Sequence, residues 1–307
     1  MNKIFQFLLD KRQIYFFFKH RKNFLFESID EKNIKDEEIS IYLTVDFEYD
    51  YGSAGEKKDL QIENFIKNSD KIFGNKKATF FVQGCLVDKY KDQLKKWQNS
   101  GHEIGLHGFD HELWGNTQWF INDAYKSEFE RKILLEKSLT EFKKAGLNHP
   151  VSFRAPNLVM DDISYDLLNK FKFKFDSSAS VFSGPVLPYS FADIKIAPVS
   201  SDPKPKIKWK SFLPFISYDM FHLKFICESS KEDFWQSIKR VFNYQKENGI
   251  KYHLIIFMHS WEFGDPSINN ASLKYCSSKN WELLNEKLDF LNSKFKLNYK
   301  TINEFSA

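Results

Sequence analysis

Cysteine is scarce in this sequence of 307 residues, and long apolar runs are absent. The three cysteines, Cys85, Cys227 and Cys276, lie far apart and form no CxxC pair. This odd, scattered set argues against a disulfide framework and against a thiolate zinc site, and it favours a reducing compartment. No stretch approaches the roughly 18 apolar residues that a membrane-spanning helix needs.

The amino terminus also lacks the core of an export signal. Only residues 4–9 form an apolar run before the charged residues 10–12, and a secretory signal has a core of about 7–15 apolar residues. The sequence therefore predicts a cytoplasmic protein.

Residues 1–38 differ in composition from the rest of the chain and predict an N-terminal extension. They mix aromatic with basic side chains and end in an acidic run. Because they show no clean helical apolar stripe, the favoured interpretation is an extension that packs on the domain or is partly disordered. The second hypothesis is that residues 1–25 contact an anionic membrane surface peripherally, on the inner face of the membrane.

The charge is too evenly balanced to indicate a nucleic-acid partner. The formal net charge is +4, in a chain of which 28% of the residues are charged, and nucleic-acid binding normally needs a concentrated basic patch. Aromatic residues make up 17% of the chain, and their burial provides a large core. We therefore expect a folded protein that does not bind nucleic acid.

From residue 39 onward, β-type runs alternate with segments of helical spacing. Repeated βα units indicate a parallel sheet, and seven of them in one stretch indicate a closed barrel. The sequence predicts an α/β fold, a distorted (β/α)7-type barrel in a single domain over residues 39–307. The predicted strands are 39–46, 78–82, 103–107, 151–154, 173–177, 194–199 and 252–259. The predicted helices are 59–73, 86–99, 123–145, 162–171, 231–248 and 281–295, with a loop insertion at 200–214.

Candidate metal ligands follow two of these strands. Reactive residues of a parallel barrel lie at the carboxyl ends of the strands. Asp46 and Glu48 end the first strand and share a face, because side chains alternate along a strand. His107 and His111 follow the third strand. A carboxylate with two histidines suits Zn²⁺ or a similar divalent ion such as Co²⁺ or Ni²⁺.

Arg154 and His259 complete the predicted mouth of the barrel. A guanidinium at the end of the fourth strand can hold a carboxylate by two hydrogen bonds, and His259 ends the seventh. His102 precedes its strand and is interpreted as structural. No supporting cluster is evident for the remaining histidines, His20, His149, His222 and His253.

Six motifs in order resemble those of the NodB-homology polysaccharide deacetylases, also called carbohydrate esterase family four. They are TVDFEYD, ATFFVQG, GHEIGLHGFDH, FRAPN, FDSS and FMHSWEF, between residues 44 and 263. The resemblance covers roughly residues 39–304. It implies a barrel that holds a divalent metal, usually zinc, through His107, His111 and either Glu48 or Asp46.

The resemblance also implies roles for the other candidates. When the roles of the two carboxylates in the family's first motif are carried over in their order, Asp46 is the base that Arg154 orients, and Glu48 is the metal ligand. His259 would protonate the departing amine, with Asp176 as its orienting carboxylate. Asn157 would offer a backbone N–H to the oxyanion, and a contact with substrate is expected there and at Trp261.

The first motif departs from the family's usual Thr-Phe-Asp-Asp-Gly, since its second carboxylate comes one residue later and is Glu48. Glu112 also replaces the proline that usually follows the second histidine, and Asn157 stands where tyrosine is common. The resemblance implies removal of acetyl from an amino sugar in a surface-polysaccharide or lipid-linked glycan precursor. The alternatives are hydrolysis of another amide, such as a cyclic imide or ureide, and a carbohydrate-binding pseudoenzyme.

Overall fold

The fold is arranged around one long buried strand, β1, which lies between two other parallel strands. The computed structural model describes residues 37–52, 55–115, 124–180, 186–191, 193–204 and 218–306. Their strands are β1 (Glu38–Phe47), β2 (Ala78–Val82), β3 (Glu103–Leu106), β4 (Ser152–Phe153), β5 (Phe175–Asp176), β6 (Tyr189–Phe191), β7 (Ile194–Ile196), β8 (His253–His259) and β9 (Lys296–Tyr299).

These strands form one curled sheet in the order β6-β7-β5-β4-β3-β2-β1-β8, and β9 also pairs with β1. Every pair is parallel except β6 with β7. The register sets Asp46 beside His259 across β1 and β8. The carboxyl ends of the parallel strands therefore bring the predicted site residues to one end of the sheet.

The chain after β7 connects the two sides of the sheet. Val199 N donates to Ala179 O at 2.9 Å, and Ser200 N donates to Ile255 O at 3.1 Å. The hydroxyl of Ser200 accepts from Ile255 N at 2.9 Å. Residues 199–200 thus lie between the chain that follows β5 and strand β8, so the curled sheet approaches a closed barrel.

Helices cover the outside of the sheet. They are α1 (Leu60–Phe73), α2 (Lys91–Asn99), α3 (Glu128–Lys144), α4 (Asp162–Lys170), α5 (Leu223–Glu228), α6 (Lys231–Glu247) and α7 (Asn280–Asn292). Helix α3 begins with a capping box, in which Ser127 and Glu130 satisfy each other's backbone N–H groups. Among the helices of the described residues, none combines the length and the apolar composition needed to cross a membrane.

Aromatic rings fill the layer between α1, α2 and the sheet. Phe80 of β2 stacks on Trp97 of α2, with ring centroids 4.0 Å apart. Phe65 of α1 contacts Trp97, Phe80 and Phe263, with centroids 6.0, 6.2 and 5.6 Å away. Because Phe263 lies in the 3-10 turn Ser260–Phe263 after β8, this cluster supports the segment that carries several site residues.

The predicted α/β barrel in a single domain is confirmed. Each of the seven predicted strands is present, as β1 to β5, β7 and β8. The pattern did not reveal β6, β9 or α5, which are short and have too few residues to show a period. Helix α2 begins at Lys91 rather than at 86, because Gly84–Leu86 forms a 3-10 turn. The extension at 1–38 lies almost entirely outside the described residues, as does most of the predicted loop insertion.

We expect Phe65→Ala to destabilise the protein by about 3–5 kcal/mol, because the change removes a buried ring with its contacts and leaves a cavity. Leu60→Ala is the matched control on the same helix: Leu60 is 59% exposed, and a surface change costs less than about 0.5 kcal/mol. Urea denaturation of both variants measures the difference. Equal losses of stability would contradict the role assigned to Phe65.

Candidate active site and metal ligands

A cavity of roughly 1070 Å³ opens at the carboxyl ends of the strands. Its walls include Asp46, Glu48, His107, His111 and His259, which are five of the residues that the sequence singled out. Asn157 and Trp261 also line it. The structure therefore places seven of the nine predicted residues on one cavity, and the other two, Arg154 and Asp176, lie buried behind its wall.

Glu48, His107 and His111 direct ligand atoms at one point. Glu48 Oε2 lies 3.2 Å from His107 Nε2 and 2.9 Å from His111 Nε2. Asp46 is farther from the histidines, its Oδ2 lying 3.6 Å from His107 Nε2. The three groups can hold a divalent metal ion through one carboxylate oxygen and two imidazole nitrogens.

The other nitrogen of His107 supports this ligand assignment. His107 Nδ1 lies 2.9 Å from Arg154 O, and only an N–H can bond to a carbonyl, so Nδ1 carries the proton. In a neutral ring the Nε2 lone pair then faces Glu48 Oε2, which is also an acceptor. Two acceptors at 3.2 Å repel unless a cation or a proton lies between them, so the site fits a metal ion.

The electrostatics of the ion-free residues agree with a site for positive charge. Burial would raise the pKa of Glu48, but when the imidazoles are protonated the charge of His111 and hydrogen bonds from both rings hold it well below its usual range. Burial would likewise lower the pKa of His111, and Glu48 raises it instead. The carboxylate thus holds its negative charge at the point where the two imidazoles meet.

The loop that carries both histidines is held by Glu112, which sequence reasoning noted only as a departure from the family. Its carboxylate accepts from Phe109 N at 2.9 Å, Asp110 N at 2.7 Å and Trp114 Nε1 at 3.1 Å. His111 has a positive φ of 59°, a strained conformation for a non-glycine residue. The hydrogen bonds of Glu112 therefore stabilise the loop in which His111 adopts this conformation.

Gly52 allows the chain to approach the metal ligands closely. It has a positive φ of 52°, and a Cβ there would lie 2.9 Å from Glu48 Oε1. Any larger residue would therefore press on Glu48 as well as strain the backbone.

Asp46 is paired with Arg154 rather than with the two histidines. Arg154 Nη1 donates to Asp46 Oδ1 at 2.9 Å, and both side chains are almost fully buried. Arg154 also donates to Ser177 O and Ser177 Oγ at 3.0 and 2.8 Å, and to Thr44 Oγ1 at 2.9 Å. The predicted contact between the guanidinium and Asp46 is present, through one of its nitrogens.

Asp176 occupies a different position from the one predicted for it. It accepts from Ser178 N at 3.1 Å, from Ser178 Oγ at 2.5 Å and from Tyr165 at 3.3 Å. Ser178 Oγ in turn accepts from Ala155 N at 2.8 Å. Burial raises the pKa of Asp176 to about 6. Asp176 therefore supports the turn after Arg154, and it is not among the carboxylates within 4 Å of His259.

The carboxylate that contacts His259 is Glu262. His259 Nδ1 lies 3.3 Å from Glu262 Oε1, and His259 N donates to Glu262 Oε2 at 2.7 Å. Glu262 reaches this position because the chain turns into a 3-10 helix directly after β8. Burial would lower the pKa of His259, but the charges of Glu262 and Glu48 raise it to about 9.

Trp261 and Asn157 differ in how they meet the cavity. The indole N–H of Trp261 donates to Glu48 Oε1 at 2.9 Å, and its ring stacks on His259 with centroids 4.5 Å apart. Trp261 therefore orients the Glu48 carboxylate, a contact that the sequence did not predict. Asn157 lies at the turn where an oxyanion contact is predicted. Its φ is 57°, a positive value that asparagine tolerates better than most residues.

Sequence reasoning missed two residues of this site, His222 and Tyr275. His222 Nε2 lies 2.8 Å from Glu262 Oε1, and the hydroxyl of Tyr275 also donates to that oxygen. His222 follows an aperiodic segment, so no pattern placed it beside β8. A signal for Glu262 was present, since it comes three residues after His259 at a strand end.

Comparison with known proteins places most of these motifs in one family. Residues 34–175 match the model of the polysaccharide deacetylase family. A peptidoglycan deacetylase of Helicobacter pylori is 30% identical over 101 residues, which are 33% of this chain and 31% of the relative. A peptidoglycan deacetylase-like protein of Gibberella zeae is 26% identical over 131 residues, which are 43% of this chain and 36% of the relative. The matches thus span about a third of the length of these curated relatives.

The fold agrees with this match. A Mycobacterium smegmatis structure assigned to the polysaccharide deacetylases superposes with a TM-score of 0.53 and 14% identity, over 88% of this chain and 89% of that one. At this identity the likeness concerns the fold alone. The match over residues 34–175 and the order of the motifs support a similarity to the NodB-type polysaccharide deacetylases, and the shared barrel agrees with it.

Proposed function

We propose that this protein is a metal-dependent deacetylase that hydrolyses the N-acetyl group of an amino sugar. The observation that carries the proposal is the meeting of Glu48 with His107 and His111 at a cavity wall, beside an Asp46 that is paired with Arg154. We infer that Glu48 binds a metal and that Asp46 acts as the base. Both curated relatives carry names that refer to peptidoglycan deacetylation.

Glu48, His107 and His111 would hold the ion, for which we propose Zn²⁺, with Co²⁺ or Ni²⁺ as alternatives. When bound, such an ion polarises a carbonyl and lowers the pKa of a coordinated water to about 7. The hydrogen bond from Trp261 to Glu48 Oε1 leaves Oε2 facing the histidines, and this kind of outer support fixes a ligand's orientation.

Asp46 accepts the proton of the attacking water. Its Oδ1 is engaged by Arg154 at 2.9 Å, while Oδ2 points towards His107 at 3.6 Å. The guanidinium fixes the carboxylate and stabilises its negative charge before the reaction. A carboxylate held in this way can accept the proton without first reorienting.

His259 and Asn157 serve the other half of the reaction. His259 protonates the departing amine from Nε2, which faces the cavity on the side of Glu48, 3.9 Å from Glu48 Oε1. The backbone N–H of Asn157 is assigned to the oxyanion that forms on the acetyl carbonyl. Asp176 contributes by supporting the Arg154 turn through Ser178.

The size and polarity of the cavity favour a substrate larger than one sugar. Its volume of roughly 1070 Å³ lies at the upper end of the usual range of small-molecule pockets, about 300–1000 Å³. Charged side chains of both signs also line it, among them Lys204, Lys224, Arg240, Glu228 and Asp233. We therefore propose a glycan or carrier-linked precursor of surface polysaccharide, deacetylated in the cytoplasm or at the inner face of the membrane.

The proposed activity is tested by incubating the metal-loaded protein with N-acetylated amino sugars in free, nucleotide-linked, lipid-linked and polymeric forms. Mass spectrometry should show the loss of one acetyl group with release of acetate from at least one of them. Turnover of cyclic imides or ureides instead would favour the other amide hydrolase, and binding without any turnover would favour the pseudoenzyme.

We expect the purified protein to bind about one Zn²⁺ per chain and His107→Ala to lose it, because one of three protein ligands is removed. Metal analysis after dialysis measures this. His149→Ala is the matched control, since His149 is exposed and bonds to Phe171 O, and its metal content should not change. Full retention of metal by His107→Ala would refute the ligand assignment.

Asp46→Asn and Glu48→Gln separate the two carboxylates. Asp46→Asn should keep the metal and lower the turnover rate by roughly 10²–10⁴, the usual contribution of a general base. Glu48→Gln should weaken metal binding, and excess metal should partly restore its rate. Because Asp46→Asn leaves Arg154 unpaired in the interior, thermal unfolding must show that this variant is folded. A metal-free Asp46→Asn with a metal-replete Glu48→Gln would reverse the two roles.

A further inference from the structure

A second group of ionisable side chains lies beside the metal ligands. His222, His259 and Glu262 bring one imidazole nitrogen each and a carboxylate oxygen within 4.8 Å of one another. By residue type this group matches the first, since both contain two histidines and one glutamate. The contacts of the individual atoms decide what it can do.

Backbone pairing brings His222 to the end of β8. Phe257 N donates to Phe221 O at 2.9 Å, and His222 forms a parallel bridge with Phe257. The imidazole of His222 therefore lies beside that of His259, with ring centroids 5.5 Å apart.

The hydrogen bonds of His222 argue against a metal ion in this second group. Its Nδ1 accepts from Lys224 N at 3.1 Å, so in the neutral ring the proton is on Nε2. That Nε2–H points at Glu262 Oε1, 2.8 Å away. A metal ligand needs a free lone pair on this nitrogen, so the assigned tautomer makes His222 a donor to Glu262.

Glu262 is buried completely and is held from several sides. The hydroxyl of Tyr275 donates to Oε1, His222 Nε2 lies 2.8 Å from the same oxygen, and His259 N donates to Oε2 at 2.7 Å. A carboxylate fixed by three donors keeps its position and its negative charge. The remaining neighbour of Oε1 is His259 Nδ1, which lies at an ion-pair distance of 3.3 Å and makes no hydrogen bond of its own to the described residues.

We propose that Glu262, held by His222 and Tyr275, is the positioning residue of His259. The carboxylate lies 3.3 Å from His259 Nδ1 and attracts the positive charge of the protonated ring from that side, while Nε2 faces the cavity. Stacking of Trp261 on the imidazole, at an interplanar angle of 22°, restrains the ring in the same orientation. The proposal rests on the proposed function, in which His259 acts as the acid.

The proton transfer balances with Glu262 as an unchanged carboxylate. As the C–N bond of the acetamide breaks, its electron pair stays on nitrogen, which takes the proton from His259 Nε2. The acetyl carbon keeps the oxygen of water, and the proton left on Asp46 returns to His259 through solvent. Glu262 stabilises the protonated imidazole without taking its proton, as the carboxylate of a catalytic triad does.

The test compares two substrates in Glu262→Gln. On an N-acetyl amide, whose amine leaves only when protonated, kcat should fall by about 10- to 1000-fold with KM little changed, part of the roughly 10²–10⁴ that a positioned acid contributes. On 4-nitrophenyl acetate, whose leaving group needs no proton, kcat should stay within about twofold. Equal losses on both substrates, or no loss on either, would overturn the proposal.

Tyr275→Phe is the second variant, because Glu262→Gln could fail to fold. It removes one donor to Glu262 and keeps the ring, so the amide rate should fall less and the ester rate should hold. His149→Gln, at an exposed position, is the control and should leave both rates unchanged. A Tyr275→Phe that lowers the ester rate as much as the amide rate would contradict a positioning role.

A spectroscopic readout separates this proposal from the proposed function. Nitrogen-15 NMR of the wild-type imidazoles should show His222 with its proton on Nε2, and the ring resonances of His259 should shift in Tyr275→Phe. His222→Ala should keep its zinc. Protonation of His222 on Nδ1, or loss of zinc in His222→Ala, would overturn the proposal. If the wild type hydrolyses neither substrate, the proposed function fails, while these NMR and metal results still decide the positioning.

Discussion

The buried guanidinium of Arg154 is the constraint on which the rest of the site depends. A charge taken out of water is stable only when it is paired and fully hydrogen-bonded, and Arg154, with no exposed surface, is surrounded by acceptors. They lie on Thr44 and Asp46 of β1 and on Ser177 after β5. Thr44 also donates to Ile256 O of β8, and Ser177 to Ala197 O after β7. One side chain thus ties together the strand ends that form the cavity floor.

The same residue organises both halves of the proposed chemistry. Its side chain holds Asp46, the candidate base, and its backbone carbonyl accepts from His107 Nδ1, which directs Nε2 of that ring to Glu48. Phe81 and Phe257 lie against the guanidinium, 4.4 and 5.0 Å from their ring centroids, and they keep water away from it. Since base and metal ligands depend on one buried group, their relative positions are set before any ligand binds.

Spacing along the chain predicted the parts of this site that local geometry governs. Asp46 and Glu48 share a face of β1, and His107 and His111 follow β3, because strand alternation and the rule of barrel ends act over a few residues. The seven main strands were predicted for the same reason. His222 could not be found in this way: its place beside Glu262 depends on a pairing with β8 after an aperiodic segment. The partner of His259 was assigned by resemblance to Asp176, whereas a 3-10 turn brings Glu262 to it.

The two groups of two histidines and one glutamate show why residue type alone does not determine a site. His107 donates from Nδ1 to a carbonyl and so presents a lone pair at Nε2 to Glu48. His222 accepts at Nδ1 from a backbone N–H and so presents a proton at Nε2 to Glu262. The first arrangement sets acceptors against one another and needs a cation, while the second pairs a donor with an acceptor and needs none. The backbone group that meets the far nitrogen of each ring therefore distinguishes the glutamate proposed to bind a metal from the glutamate proposed to position His259.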